Sequence, residues 1–464
     1  MHLKQDIGQA TAIFLESKMA LKTVLKQIEE LDIHYIRFEF SDMYGIARSR
    51  VISARHFREK CKGLNLPLLH FAMDPRGKEA EQAPYTESSG YPDGVWFPDL
   101  ESFRVIPWCP HTAEILIEPT FNHKPLMCFP RYIARKQLEK LTDFGYSLQS
   151  TNEYEFYVVD RETKVPLTDD TSVSSTIRNY ANPEWIEDLL SYLPYMGVDV
   201  EMCDTKKGPG QMQVTYKSEF GIRAADNAHV FKTAVKEIAQ RRGYTASFMS
   251  KPWINQADSA GHFCHSLWDS EGQRNLLFNP KNPSGLSDIG QHWMAGILIH
   301  APAISILMAP TVNCLRRYKK FNFTTTNTTW GIDNRTCALR VKVNGEKGTY
   351  LENRMGASGG NPYLCMAAVV AAGIDGIQRK LPLPDKVTGS AFDEANVPPG
   401  TVNLPANMEE AITAFMSDGV IRDAFGVEFR NAFFVLKRHE MKCEAEAEEE
   451  GDKEWERNMF FKYL

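Results

Sequence analysis

The stretch Asn152-Glu153-Tyr154-Glu155-Phe156-Tyr157-Val158-Val159 is apolar and β-prone, yet it carries two carboxylates two residues apart. Side chains in a strand repeat every two residues, so Glu153 and Glu155 leave the same face. Like charges on one face repel and are costly to desolvate unless cations or hydrogen-bond donors hold them, and hard divalent ions are a common solution. The plain alternative is an edge strand whose polar face meets water, because half-buried antiparallel strands alternate in the same way. On this segment alone both readings stand.

Outward from that strand, the chain alternates strands and helices. Upstream, apolar residues Ile13 to Ile28 at helical spacing predict an amphipathic helical arm over 1–30, and 34–40 with 46–52 predict a hairpin turned at Asp42-Met43-Tyr44-Gly45. A helix is expected near 54–62, a long loop over the Gly-, Pro- and charge-rich segment 67–98, and strands at 103–107 and 112–117. Pro130 opens a helix over 132–144. Beyond the carboxylate strand come helices at 184–195, 224–242, 291–308 and 362–377, with strands at 198–202, 211–216, 245–249, 336–343 and 348–354. The acidic run 444–456 reads as a solvated helix, and the apolar residues 459–464 need something to bury against.

Composition narrows the function classes. The 464 residues are 43% hydrophobic and 24% charged, enough for two domains with substantial cores, and the net charge of -6 provides no basic footprint for nucleic acid. An apolar run of about 20 residues, as a membrane span needs, does not occur, and the polar N-terminus does not read as a secretory leader. A cytoplasmic protein is expected. Its nine cysteines, without a C-x-x-C pair, fit free thiols in a reducing compartment.

Seven ordered motifs now carry a resemblance: 152–156, Gly208-Pro209-Gly210-Gln211, 262–268, 313–317, Asn334-Arg335, Glu352-Asn353-Arg354 and Asn361-Pro362-Tyr363-Leu364. Together they resemble class I glutamine synthetase over nearly the whole chain. Within that family, 102–108, 265–269 and 345–349 are most similar to the vertebrate lens branch, regarded as having lost catalysis. The resemblance implies an α+β fold: a helical arm (1–30), a β-grasp domain (31–125), and a C-terminal domain (126–464) with a curved antiparallel sheet, outer helices and an assembly tail. It also implies a homo-oligomer of two stacked hexameric rings, a dodecamer, with intermediate-filament proteins as partners through the lens branch.

Family chemistry activates glutamate with ATP and lets ammonia attack, so divalent ions and arginines must neutralise a phosphoryl group and a carboxylate must take a proton. The resemblance implies one Mg²⁺ or Mn²⁺ held by Glu153, His262 and Glu352. A second set keeps only Glu155: the other positions fall on Gln213 and on residues near Thr205 and Lys206, so Lys206 or Lys207 is expected to pair with Glu155 instead. The loop glutamate that helps deprotonate ammonium falls on Phe323, which cannot accept a proton. The glycine-rich loop before the metal histidine becomes Ala257-Asp258-Ser259-Ala260-Gly261, and Asp74 is a candidate for the ammonium-site aspartate. Ser266, Arg335 and Arg340 are implied on the nucleotide side, Arg317 and Arg354 on the substrate side, with ATP as the nucleotide. For any one arginine, a salt bridge on a barrel strand is the plain alternative.

Two function classes follow. One is a structural or chaperone-like oligomer with ligase activity lost or severely weakened. The other is an ATP-dependent γ-glutamyl ligase that uses a bulkier amine.

Overall fold

Strand Tyr146–Asp160 runs through the middle of a nine-stranded sheet, pairing with Gly261–Asp269 on one side and Gln211–Tyr216 on the other. The computed structural model describes residues 19–319 and 324–464. From one edge the order is Trp330–Ile332, Leu339–Lys342, Tyr350–Asn353, Gly261–Asp269, Tyr146–Asp160, Gln211–Tyr216 and Val200–Thr205, all antiparallel except the first pair. The sheet is a curled half-barrel. Its period-two alternation explains the two environments of the central strand. Tyr154, Phe156 and Val158 turn inward onto the helix Ile222–Arg241, where Tyr154 stacks on Phe231 at 5.9 Å, while Glu153 and Glu155 occupy the concave face.

A smaller seven-stranded sheet precedes it. There Tyr35–Ser41 lies between its hairpin partner Ala47–Ser53 and the parallel strand Thr112–Phe121, which continues to Asp93–Pro98 and Leu64–Pro67. Helical backbone covers 19–30 of the expected arm; residues 1–18 lie outside the described part.

Several expectations are corrected. The segment 67–98, read as a long loop, contains the strand Asp93–Pro98, whose Gly94 and Trp96 are buried while Val95 and Phe97 face outward. Its Gly- and Pro-rich flanks hid a short alternating run. The helix expected over 291–308 is two helices, Asp288–Ile299 and Ala301–Met308, because Pro302 has no N–H to continue the ladder. The acidic helix ends at Glu450, capped by Gly451 at φ 71°.

The C-terminal tail carries the largest change. Met459, Phe460 and Leu464 are buried in the subunit's own core, the Phe248 N–H donates to the Leu464 carbonyl (2.9 Å), and Phe461 packs on Trp253. The tail was expected as an assembly surface because its apolar side chains need cover. The chain supplies that cover itself.

Candidate active site

Five neighbouring strands bring the site residues together by register. His262 stands opposite Glu153, Gln213 opposite Glu155, and Glu352 opposite both Cys264 and Arg340. Close backbone contact makes this possible: a Cβ on Gly261 would lie 2.6 Å from the Ala357 carbonyl oxygen, and the Gly261 N–H donates to Gly356 at 3.0 Å. The result is a cleft of about 680 Å³ on the concave face of the sheet.

Glu153, His262 and Glu352 form its floor. One ligand atom from each lies within 4.8 Å of the others, and His262 Nδ1 is 3.2 Å from both a Glu153 and a Glu352 oxygen. Burial alone would push the Glu352 carboxyl up, but His262, Arg354 and Arg340 together hold it down at about 2. Glu153 is likewise held below the usual range, its burial outweighed by the hydrogen bond and charge of His262. Two carboxylates held below their ordinary range and an imidazole nitrogen are a donor set that fits one divalent ion. Glu153, His262 and Glu352 would hold it, and it would supply positive charge to a phosphoryl oxygen. Burial and the charges of Glu153 and Glu352 push the neighbouring Cys264 thiol well up, and the cluster of close ligand atoms is Glu153, His262 and Glu352.

The remainder of the acidic face is occupied by protein groups. The Gln213 side-chain amide donates to Glu153. Lys206 is the lysine that reaches Glu155, with Nζ 3.5 Å from its carboxylate, and the Ala260 N–H donates to the same carboxylate at 2.8 Å. An ammonium in that place neutralises Glu155 without the ligand exchange a metal offers.

The arginines divide. Arg340 donates to Glu352 at 2.7 Å and to Asp333 at 2.9 Å, and Arg354 donates to the other Glu352 oxygen. Arg317, 2% exposed, donates to Asp258 at 2.8 Å and to the Gly356 carbonyl at 2.6 Å. Arg335 lines the cleft and has no carboxylate within ion-pair distance among the described residues. Ser266 shares the His262 face of its strand but does not line the cleft, and its hydroxyl accepts from Trp268 Nε1 at 2.8 Å. Phe323 lies outside the described residues. Asp74 is buried at its own turn, where one oxygen accepts the Arg76 and Lys78 N–H groups at 2.9 Å and the other faces the Arg76 guanidinium at 3.3 Å and His439 at 3.6 Å.

Sequence reasoning missed Asp258 and Asp333 as counter-charges. Asp258 is placed by its loop: Gln211 donates to the Asp258 carbonyl (2.9 Å), Tyr157 to the Ala257 carbonyl (2.6 Å), and Thr324 to the carboxylate itself (3.0 Å). An acidic residue where the family has glycine was the available signal.

A half-barrel sheet whose concave face gathers carboxylates, an imidazole and guanidinium groups is the fold of the glutamine-synthetase type. Residues 127–459 match the family described as glutamine synthetase, catalytic domain, and this chain belongs to that family. Lengsin from Canis lupus familiaris is 34% identical, covering 99% of this chain and 78% of its own. A glutamate–isopropylamine ligase from Pseudomonas is 30% identical, covering 92% of this chain and 95% of its own. A solved structure titled GmaS/ADP complex superposes with a TM-score of 0.81 at 24% identity, covering 94% of this chain and 98% of that one, which is a likeness of fold.

Proposed function

We propose that this chain is a glutamine-synthetase homologue with ligase activity lost or severely weakened, acting as a structural or chaperone-like oligomer. One observation carries the reading: the groups filling the acidic face beside the Glu153–His262–Glu352 floor are the Gln213 amide and the Lys206 ammonium. With them in place, only one divalent ion is held firmly, and phosphoryl transfer loses a large share of its charge stabilisation. Phe323 removes a proton acceptor as well. The similarity to lengsin along 99% of the chain is consistent with a role for the assembled surface, and intermediate-filament proteins are the proposed partners. The proposed assembly is two stacked hexameric rings in the cytoplasm.

A second reading has its own support. The metal floor and the arginines around it persist, and relatives include proteins named glutamate–isopropylamine ligase and gamma-glutamylanilide synthase. On that reading ATP is used with an amine bulkier than ammonia.

Phosphate release from ATP with glutamate and a panel of amines separates the two. Release at background level with every amine is expected. Turnover with a hydrophobic amine selects the ligase reading instead.

A further inference from the structure

Far from the cleft in sequence, a surface cluster gathers three metal-ligating side chains from two segments. Asp32 and His34 lie between helical residues 19–30 and the strand Tyr35–Ser41, and His111 immediately precedes the strand Thr112–Phe121. These strands are parallel neighbours with Tyr35 opposite Thr112, so both histidines stand at the same end of the sheet. The backbone locks them there: the His34 and Tyr35 N–H groups both donate to the His111 carbonyl, at 2.8 and 3.1 Å.

The Asp32 carboxylate spans the two imidazoles. One oxygen lies 3.0 Å from His34 Nε2 and the other 3.1 Å from His111 Nδ1, while the rings stack at 4.5 Å between centroids. One ligand atom from each residue lies within 4.8 Å of the other two. Asp32 and His111 both adopt left-handed backbone, at φ 50° and 54°, which non-glycine residues rarely take and which recurs where a site over-determines its geometry.

Two imidazoles and one carboxylate suit borderline first-row ions, whereas oxygen-rich sets suit Mg²⁺ and Mn²⁺. The cleft floor, with two carboxylates and one imidazole, has the opposite bias. We propose that Asp32, His34 and His111 form a surface site for a divalent transition ion of the zinc class, with water completing the coordination. The two rings turn about their Cβ–Cγ bonds out of the stack to direct one nitrogen each at the ion. Bound there, the ion ties the segment leaving helical residues 19–30 to the turn before Thr112, adding to the backbone hydrogen bonds that already join them. The competing arrangement has no ion, with His34 Nε2 bonded to the Asp32 carboxylate at 3.0 Å and His111 Nδ1 to the Asp32 carbonyl at 2.9 Å.

The test uses the full chain, stripped with a chelator, and compares wild type with the double variant His34→Gln, His111→Gln. These side chains are 54% and 48% exposed, so the substitutions leave the core untouched. Zn²⁺ titration by calorimetry should find one more ion per subunit in wild type than in the double variant. Cu²⁺ as a spectroscopic probe should show a two-nitrogen hyperfine pattern that the double substitution abolishes; the cleft, with one imidazole, cannot produce it. Equal Zn²⁺ counts in the two proteins, or a two-nitrogen pattern that survives the substitutions, would overturn the proposal.

Discussion

The Asp258 carboxylate lies 2.8 Å from Nε of Arg317 and accepts a hydrogen bond from it, in the cleft that also holds Glu153, His262 and Glu352. A buried guanidinium is the natural fork for a ligand carboxylate, and here the chain has placed one of its own there. A ligand carboxylate that took the Nε edge of Arg317 would have to displace Asp258.

Asp258→Ala should therefore do two opposite things. Removing one partner of a buried ion pair costs about 3–5 kcal/mol, so urea denaturation should show a clear loss of stability. Glutamate should recover part of that loss by occupying Arg317, and should do so in the variant more than in wild type. A glutamate response equal in the two proteins would show that Asp258 does not compete for the arginine.

Glutamine formation from ammonia should be nearly silent in wild type and partly rescued by Gln213→Glu combined with Phe323→Glu. The first returns a metal ligand beside Glu153, and the second a proton acceptor worth about 10²–10⁴-fold in rate. Coupled glutamine assays check this. Wild-type turnover matching that of the rescued variant would remove the premise.

His300 provides a pH-dependent contribution to stability. Burial alone would push its imidazole down, but Asp418 at 2.5 Å and Asp375 at 2.9 Å, the latter also paired with Arg379, hold it above its ordinary 6.5. Asp418 is held below its ordinary 3.8, its burial outweighed by the hydrogen bond from His300. A raised histidine stabilises fully below 6.5 and loses that contribution as pH rises through its folded value; a depressed aspartate loses its own as pH falls through its folded value. Wild-type urea midpoints should thus decline from pH 6.5 upward, and His300→Gln should flatten that decline. Parallel pH profiles for the two proteins would refute the assignment.

The tail should behave as core. Phe460 is fully buried, and truncating a buried phenylalanine costs about 3–5 kcal/mol, so Phe460→Ala should lower the unfolding midpoint of the subunit itself. Unchanged stability with a smaller particle by light scattering would instead place Phe460 at a contact between subunits.

How much of this was legible beforehand depended on whether the physics was local. The carboxylate strand was readable because alternation over Asn152 to Val159 is a local pattern, and Gln211–Tyr216 appeared at its expected bounds for the same reason. Trp96 was lost because a strand of six residues among glycines and prolines has too few positions to establish a period. Asp258 and Asp333 were missed as counter-charges because the pairs Asp258–Arg317 and Asp333–Arg340 depend on tertiary placement, which spacing does not encode. The tail was recognised as needing cover, but nothing in its own residues says whether the cover comes from the same chain or another.

The central claim is that protein groups have taken the place of a second ion beside Glu153, leaving one firm hard-metal site in the cleft. Equilibrium binding of Mn²⁺, an ion that favours oxygen-rich sites, tests it most directly, with Glu352→Gln as the control that removes a floor ligand. One tight Mn²⁺ per subunit, lost in the control, is the result this account predicts; two tight ions per wild-type subunit would contradict it.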